Sequence, residues 1–232
     1  MRVSLAIACL ISSGGCYSTL VHPTRVNSEF RLGAALSVSV VSDSSSNIES
    51  GPGKAKAATL PSLDLEASLG MRDTSVGDPG FGLRVSGRVG LGGYGGAAFA
   101  ELPRKWIGDI DAGFGVQLHN SAVDMIMPYV QIGAMRGTES SWFLRNGAAR
   151  VTAGDSTDWR LLWIPTVGWY RHRRSGFEGG LFLTAVIGDQ PTVRSECVLF
   201  GCLAGEDGGG VKTFLIFGMS ISSPLVGDPV RR

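Results

Sequence analysis

Between Leu63 and Leu91 the chain changes character at nearly every residue, and this alternation limits its possible folds more than any other feature. In a first arm Leu63, Leu65, Ala67, Leu69 and Met71 share one face, with Asp64, Glu66, Ser68, Gly70 and Arg72 on the other. A polar turn over 74–80 leads to a second arm, in which Phe81, Leu83, Val85, Val89 and Leu91 oppose Gly82, Arg84, Ser86, Arg88 and Gly90. Successive side chains of a strand point to opposite sides, whereas a helix groups residues three and four apart, so only strands sort this stretch into two chemically distinct faces. The stretch predicts a hairpin.

The same pattern recurs along the chain. Over 28–41, Phe30, Leu32, Leu36 and Val38 stand against Glu29, Arg31, Ser37 and Ser39. A serine-rich loop over 42–59, broken by Gly51, Pro52 and Gly53, precedes the hairpin, and a small-residue strand over 94–102 follows it and stops at Pro103. Next, Ile110, Ala112, Phe114, Val116 and Leu118 face Asp109, Asp111, Gln117 and His119. From Met125 on, Ile126, Pro128, Val130 and Ile132 oppose Tyr129, Gln131 and Gly133, and Pro128 predicts a lost ladder bond or a bulge. Residues 140–146 form a weaker strand before a polar loop over 147–157. Trp159, Leu161, Trp163, Pro165, Val167 and Trp169 then alternate with Arg160, Thr166, Gly168 and Tyr170, and two last strands cover 176–188 and 210–222. The expectation is about ten strands, within about 8 to 12.

The N-terminus reads as an export signal. Met1 and Arg2 supply a short positive start, residues 3–11 an apolar run, and Ser12, Ser13, Gly14 and Gly15 the small residues before cleavage. With Cys16 directly after them, the segment resembles a bacterial lipoprotein signal, which implies acylation of Cys16 as the mature N-terminus; simple cleavage and a retained structural N-terminus are the alternatives. Residues 1–15 are then the signal, 16–27 a polar leader or tether, 28–222 one barrel domain and 223–232 a C-terminal tail. Cys9 leaves with the signal. In an exported chain Cys197 and Cys202 read first as a disulfide closing a small loop, worth about 2 kcal/mol. Free thiols are the alternative, and the absence of histidine from that region argues against a metal.

A two-sided sheet can turn its apolar face into a core or toward lipid. No apolar run of helical spanning length exists, which excludes a transmembrane helix but not transmembrane strands. Four features favour lipid. The predicted strands are long, and a tilted strand of about eleven residues crosses about 25 Å of apolar thickness. Aromatic residues gather near strand ends, as Trp106, Trp142, Trp159, Trp169, Tyr170 and Phe177 do. The polar face mixes both charge signs with many of the 34 glycines. Finally, with the N-terminus on the periplasmic side, the long segments 42–59, 147–157 and 189–209 all fall outside and the short turns inside, the asymmetry of outer-membrane barrels. The predicted fold is therefore all-β, an antiparallel up-and-down transmembrane barrel. The 63–73 stretch with Phe81, Gly82, Leu83, Arg84 and Val85 after it resembles the small, functionally uncharacterised bacterial outer-membrane barrel proteins with lipoprotein signals. That resemblance implies an outer-membrane location, with both termini periplasmic, and outer-membrane lipid as partner.

Few constellations suggest chemistry. Residues 90–95 fit a glycine-rich dinucleotide fingerprint by letter, but no helix can follow before Pro103, so a tight hairpin is the better account. His119 and Ser121 place an imidazole and a hydroxyl two apart, with Asp124 the nearest acid, a pattern similar to that of barrel esterases such as lipid A deacylases; a solvated loop is the better account. Arg171, His172, Arg173 and Arg174 read as a solvated turn. Asp64, Glu66, Arg72, Arg84, Arg88, Asp109 and Asp111 are expected to face the lumen. They either pair and fill it, because unpaired buried charge is costly, or line a narrow polar path for small solutes. The net charge of +1 gives no case for nucleic acid, and no motif calls for a cofactor or a metal. The expected function is a non-enzymatic structural or narrow small-solute barrel. The alternatives are a periplasmic lipid- or small-molecule-binding barrel with its apolar face inward, and a lipid-modifying barrel esterase.

Overall fold

A computed structural model describes residues 20–42, 58–73, 80–90, 93–103, 110–120, 123–136, 139–153, 159–173, 175–188 and 212–227. Ten strands occupy most of them: β1 (Glu29–Ser42), β2 (Ala58–Arg72), β3 (Gly82–Gly90), β4 (Gly93–Glu101), β5 (Asp111–Asn120), β6 (Val123–Arg136), β7 (Ser140–Ala153), β8 (Arg160–His172), β9 (Glu178–Gly188) and β10 (Lys212–Gly227). Each pairs antiparallel with its neighbours in sequence, and β1 closes against β10, giving one up-and-down barrel. Closure leaves no unpaired sheet edge. No helix occurs among the described residues. The even strand number puts Glu29 and Gly227 at the same end of the barrel, paired with each other. That end also carries the turns after β2, β4, β6 and β8; it is called the terminal end below, and the other, which carries 43–57 and 189–211, the loop end.

The two faces separate as the alternation requires. In β2 the residues from Ser62 to Gly70 are buried at even positions, and in β6 those from Met125 to Gly133 at odd ones. The large exposed side chains outside include Leu65, Val89, Phe114, Val130, Leu144 and Leu161. Aromatic residues mark both ends of this apolar belt. Trp142 and Trp169, with ring centroids 6.3 Å apart, and Phe81 lie toward the terminal end; Tyr94 and Trp163 lie toward the loop end, where Arg150 also covers the Trp159 ring. Trp159 and Trp169 are ten residue steps apart, which at about 3.3 Å per residue and about 45° of tilt separates them by about 23 Å along the barrel axis.

Inside, aromatic rings lie across glycines of the next strand. A Cβ on Gly168 would meet Phe143 Cε1 at 2.1 Å, and one on Gly218 would meet Phe182 Cζ at 2.2 Å. Glycine is required at these positions by close approach rather than by unusual backbone angles, and this accounts for part of the chain's glycine content. The lumen also has a second, apolar sector absent from the sequence reading: Met125, Met127, Val151, Leu162, Ile164, Val186 and Ile216 are all at most 2% exposed.

Four boundaries differ from expectation. β7 continues to Ala153 through residues assigned to a polar loop, because both β6 and β8 supply pairing partners there. β2 begins at Ala58, inside the predicted 42–59 loop, and pairs with the end of β1. β10 runs to Gly227 rather than ending at Ser222, and a register shift between Phe30 and Arg31 accommodates its last residues. Residues 20–27, expected as a leader, enter the lumen. The turn at 90–95 is a hairpin as expected, with Gly93 at a φ of 122° that favours glycine.

Candidate functional site

The lumen is the only enclosed chemistry in the described fold, and residues 20–27 fill its terminal half. Leu20, Val21 and Val26 are at most 1% exposed, as befits apolar side chains packed among rings and methionines. The segment climbs from the terminal end. Val26 N donates to Glu101 Oε2 at 2.7 Å, on the last residue of β4. Arg84 donates to Pro23 O at 2.8 Å and to Arg25 O at 2.6 Å. Gln131 Nε2 donates to His22 O at 2.9 Å and Thr24 Oγ1 at 3.0 Å, and the Tyr170 hydroxyl to Val21 O at 2.5 Å. Arg145 Nη1 donates to Leu20 O at 2.6 Å. Arg145 pairs in register with Gln131 and with Thr166, midway along β8, so Leu20 sits near mid-barrel.

This segment presents its main-chain carbonyls to side chains of the wall. Buried backbone groups must find partners, and here the barrel supplies them through inward residues of β3, β4, β6, β7 and β8. Arg84 and Arg145 are buried, and neither forms a salt bridge among the described residues. Their charges rest on peptide carbonyls and on the ring faces of Phe99, 5.9 Å from Arg84, and Tyr129, 4.9 Å from Arg145.

Three other buried arginines pair with carboxylates. Arg72 contacts Glu101, which is fully buried. Arg88 Nη1 lies 3.8 Å from Asp64 Oδ2, and its Nη2 is 3.3 Å from His119 Nδ1. Arg31 joins Glu29 at 2.6 Å and Glu178 at 3.0 Å. Asp64, Glu66, Arg84, Arg88 and Asp111 are all at most 8% exposed, and the Arg72 side chain is 7% exposed. Asp109, Cys16, Cys197, Cys202 and Ser121 lie outside the described residues. His119 turns inward to Arg88, while Asp124 accepts from Asn120 at 2.6 Å on the other side of the sheet, so the two do not meet as an acid–imidazole pair.

Sequence reasoning misses Arg31, Glu101, Arg145, His172 and Glu178. For Arg145 a signal exists: it shares parity with Ser141 and Phe143 against Trp142 and Leu144. His172 is not part of a solvated basic turn. Arg171 and Arg173 are exposed on either side, but His172 points inward, in step with Thr166, Gly168 and Tyr170.

No protein-family model and no curated protein matches the sequence. Among solved structures the chain is similar to one described as "KdgM porin", at 12% identity and a TM-score of 0.36, covering 81% of this chain and 97% of that one.

Proposed function

We propose that this protein is an outer-membrane β-barrel for structure or for passage of small polar solutes, held closed by its own residues 20–27. The observation that carries the reading is the inversion of the usual core. Leu65, Val89, Val130 and Leu161 face outward between aromatic girdles, while Arg84, Arg88, Asp64 and Glu101 are enclosed. Such an exterior suits lipid, because exposed apolar belts of this extent are not left to water. The soluble alternative, with this apolar face turned inward, does not fit the outward position of Leu63 to Met71. The apolar lumenal sector around Met127 and Ile164 is buried rather than an open lipid cavity.

On this reading both termini face the periplasm and the loop end faces outward. Cys16 carries the acyl group, Cys197 and Cys202 are joined, and Asp109 lies in the lumen. The membrane reading is tested by extraction and refolding in detergent, where the barrel migrates faster unheated than boiled; a mature chain that folds and stays monomeric without detergent refutes it. The solute reading is tested by swelling of liposomes holding the full chain, with and without residues 20–27. Faster swelling with small polar solutes is expected only after the segment is removed.

A further inference from the structure

We propose that Ser141, His172 and Glu178 form a nucleophilic triad that hydrolyses small acyl esters at the rim of the terminal end. The three residues open β7, close β8 and open β9, where adjacent strands bring their inward side chains together. His172 is directly opposite Glu178 in the β8–β9 register, and Ser141 is opposite Tyr170, two residues from His172 on the same face.

The contacts run in one direction. Glu178 Oε1 lies 2.9 Å from His172 Nδ1, and Ser141 Oγ lies 2.9 Å from His172 Nε2. A carboxylate only accepts, so Nδ1 carries the proton, which leaves the Nε2 lone pair to accept from the Ser141 hydroxyl. This is the relation of nucleophile, base and orienting acid that activates a hydroxyl for attack. Glu178 is itself fixed, since Arg31 Nη1 reaches its other oxygen at 3.0 Å and Arg31 Nη2 donates to Gly176 O at 2.7 Å. Arg25 Nη1 of the lumenal segment donates to Met135 Sδ at 3.1 Å, and Met135 is the register partner of Ser141.

The surroundings set the substrate class. Ser141 is 5% exposed and the His172 side chain 13%, at the rim rather than in the depth of the barrel. Further into the lumen Phe143, Tyr170 and Val21 close the way, with the Tyr170 hydroxyl bonded to Val21 O. The acyl group is therefore short, and the alcohol portion remains toward solvent. In the reaction Ser141 Oγ attacks the ester carbonyl while its proton passes to His172 Nε2. The carbon–oxygen bond to the alcohol then breaks, and the alcohol leaves with that proton. Water attacks the acyl-Ser141 carbonyl, giving one proton to His172. The acyl bond to Ser141 breaks, Ser141 regains the proton, and the net products are a carboxylic acid and an alcohol.

The test uses the full chain, folded in detergent, and a fluorophosphonate probe. The folded protein is expected to take one phosphonyl group on Ser141 with loss of fluoride, located by peptide mass, and the unfolded chain none. Ser141→Ala and His172→Gln are expected to lower hydrolysis of 4-nitrophenyl acetate by about a hundredfold or more while keeping heat-modifiable migration. Folded, unmutated chain that takes no label, or takes it elsewhere, overturns the proposal even where a variant fails to fold. So does a folded Ser141→Ala chain that hydrolyses the ester at the unmutated rate.

Discussion

Arg84→Leu is the substitution that most directly probes the closed lumen. Arg84 gives two hydrogen bonds to the lumenal segment, at 2.8 Å to Pro23 O and 2.6 Å to Arg25 O. Charge-assisted bonds of this kind contribute about 1.5–3 kcal/mol each, so their joint loss destabilises the closed state by about 3–6 kcal/mol. At about 1.4 kcal/mol per tenfold change, the open fraction rises by about two to four orders of magnitude. Leucine fills much of the vacated volume beside Phe99, which limits collateral loss of barrel stability. The assay is conductance across a planar bilayer with single barrels, scoring the fraction of time open. Rare, brief openings are expected of the unmutated protein and frequent ones of Arg84→Leu. A deletion of 20–27 sets the fully open reference. The reasoning fails if the deleted chain conducts while Arg84→Leu stays as closed as the unmutated protein, since the two bonds would then contribute nothing to closure.

Four other outcomes follow from the geometry. Gly168→Ala should lower the unfolding temperature of the heat-modifiable band, because its new Cβ would sit 2.1 Å from Phe143 Cε1; overpacking of this kind costs about 1–3 kcal/mol. Gly87→Ala, whose Cβ would meet nothing closer than Gly95 O at 3.9 Å, should leave it nearly unchanged. Arg72→Leu strands the fully buried Glu101 and should cost about 3–5 kcal/mol, measured by chemical unfolding, with part recovered in the double variant Arg72→Leu/Glu101→Gln. Tryptophan fluorescence should be quenched by lipids brominated near the headgroup, through Trp142, Trp163 and Trp169; a folded chain in liposomes without such quenching contradicts the girdle assignment.

The outer surface is legible in the sequence because period two and chemical contrast coincide there. Leu63 to Met71 alternate with Asp64 to Arg72, and no other element satisfies both. The lumen is less legible for three physical reasons. Where β6 and β8 are apolar on both faces, as Met125, Ile126 and Met127 or Leu161, Leu162 and Trp163 are, contrast vanishes and the inward apolar sector cannot be told from the outward belt. Around 147–151 the small residues carry no period, so the extension of β7 depends on its partners, β6 and β8. Residues 20–27 show no alternation at all, and their partners Arg84, Gln131, Arg145 and Tyr170 lie 59 to 149 positions away in sequence. The meeting of Ser141, His172 and Glu178 is likewise a product of register, since His172 sits among arginines that advertise a surface turn.

The lumenal segment and the two arginines that hold it account for each other. A guanidinium buried without carboxylate, water or carbonyl is strongly unfavourable, and residues 20–25 supply the main-chain carbonyls that Arg84 and Arg145 bond, with Gln117 Oε1, 3.5 Å from Arg145 Nη1, as a further acceptor on the wall. A dry, empty lumen is therefore not an accessible state: the barrel is either filled by peptide or filled by water, and in the second case two cations face the path. Glu66 and Asp111 face the same lumen, so the ion preference of the open form, measured as a reversal potential in a salt gradient, reports how far these carboxylates offset the two guanidiniums.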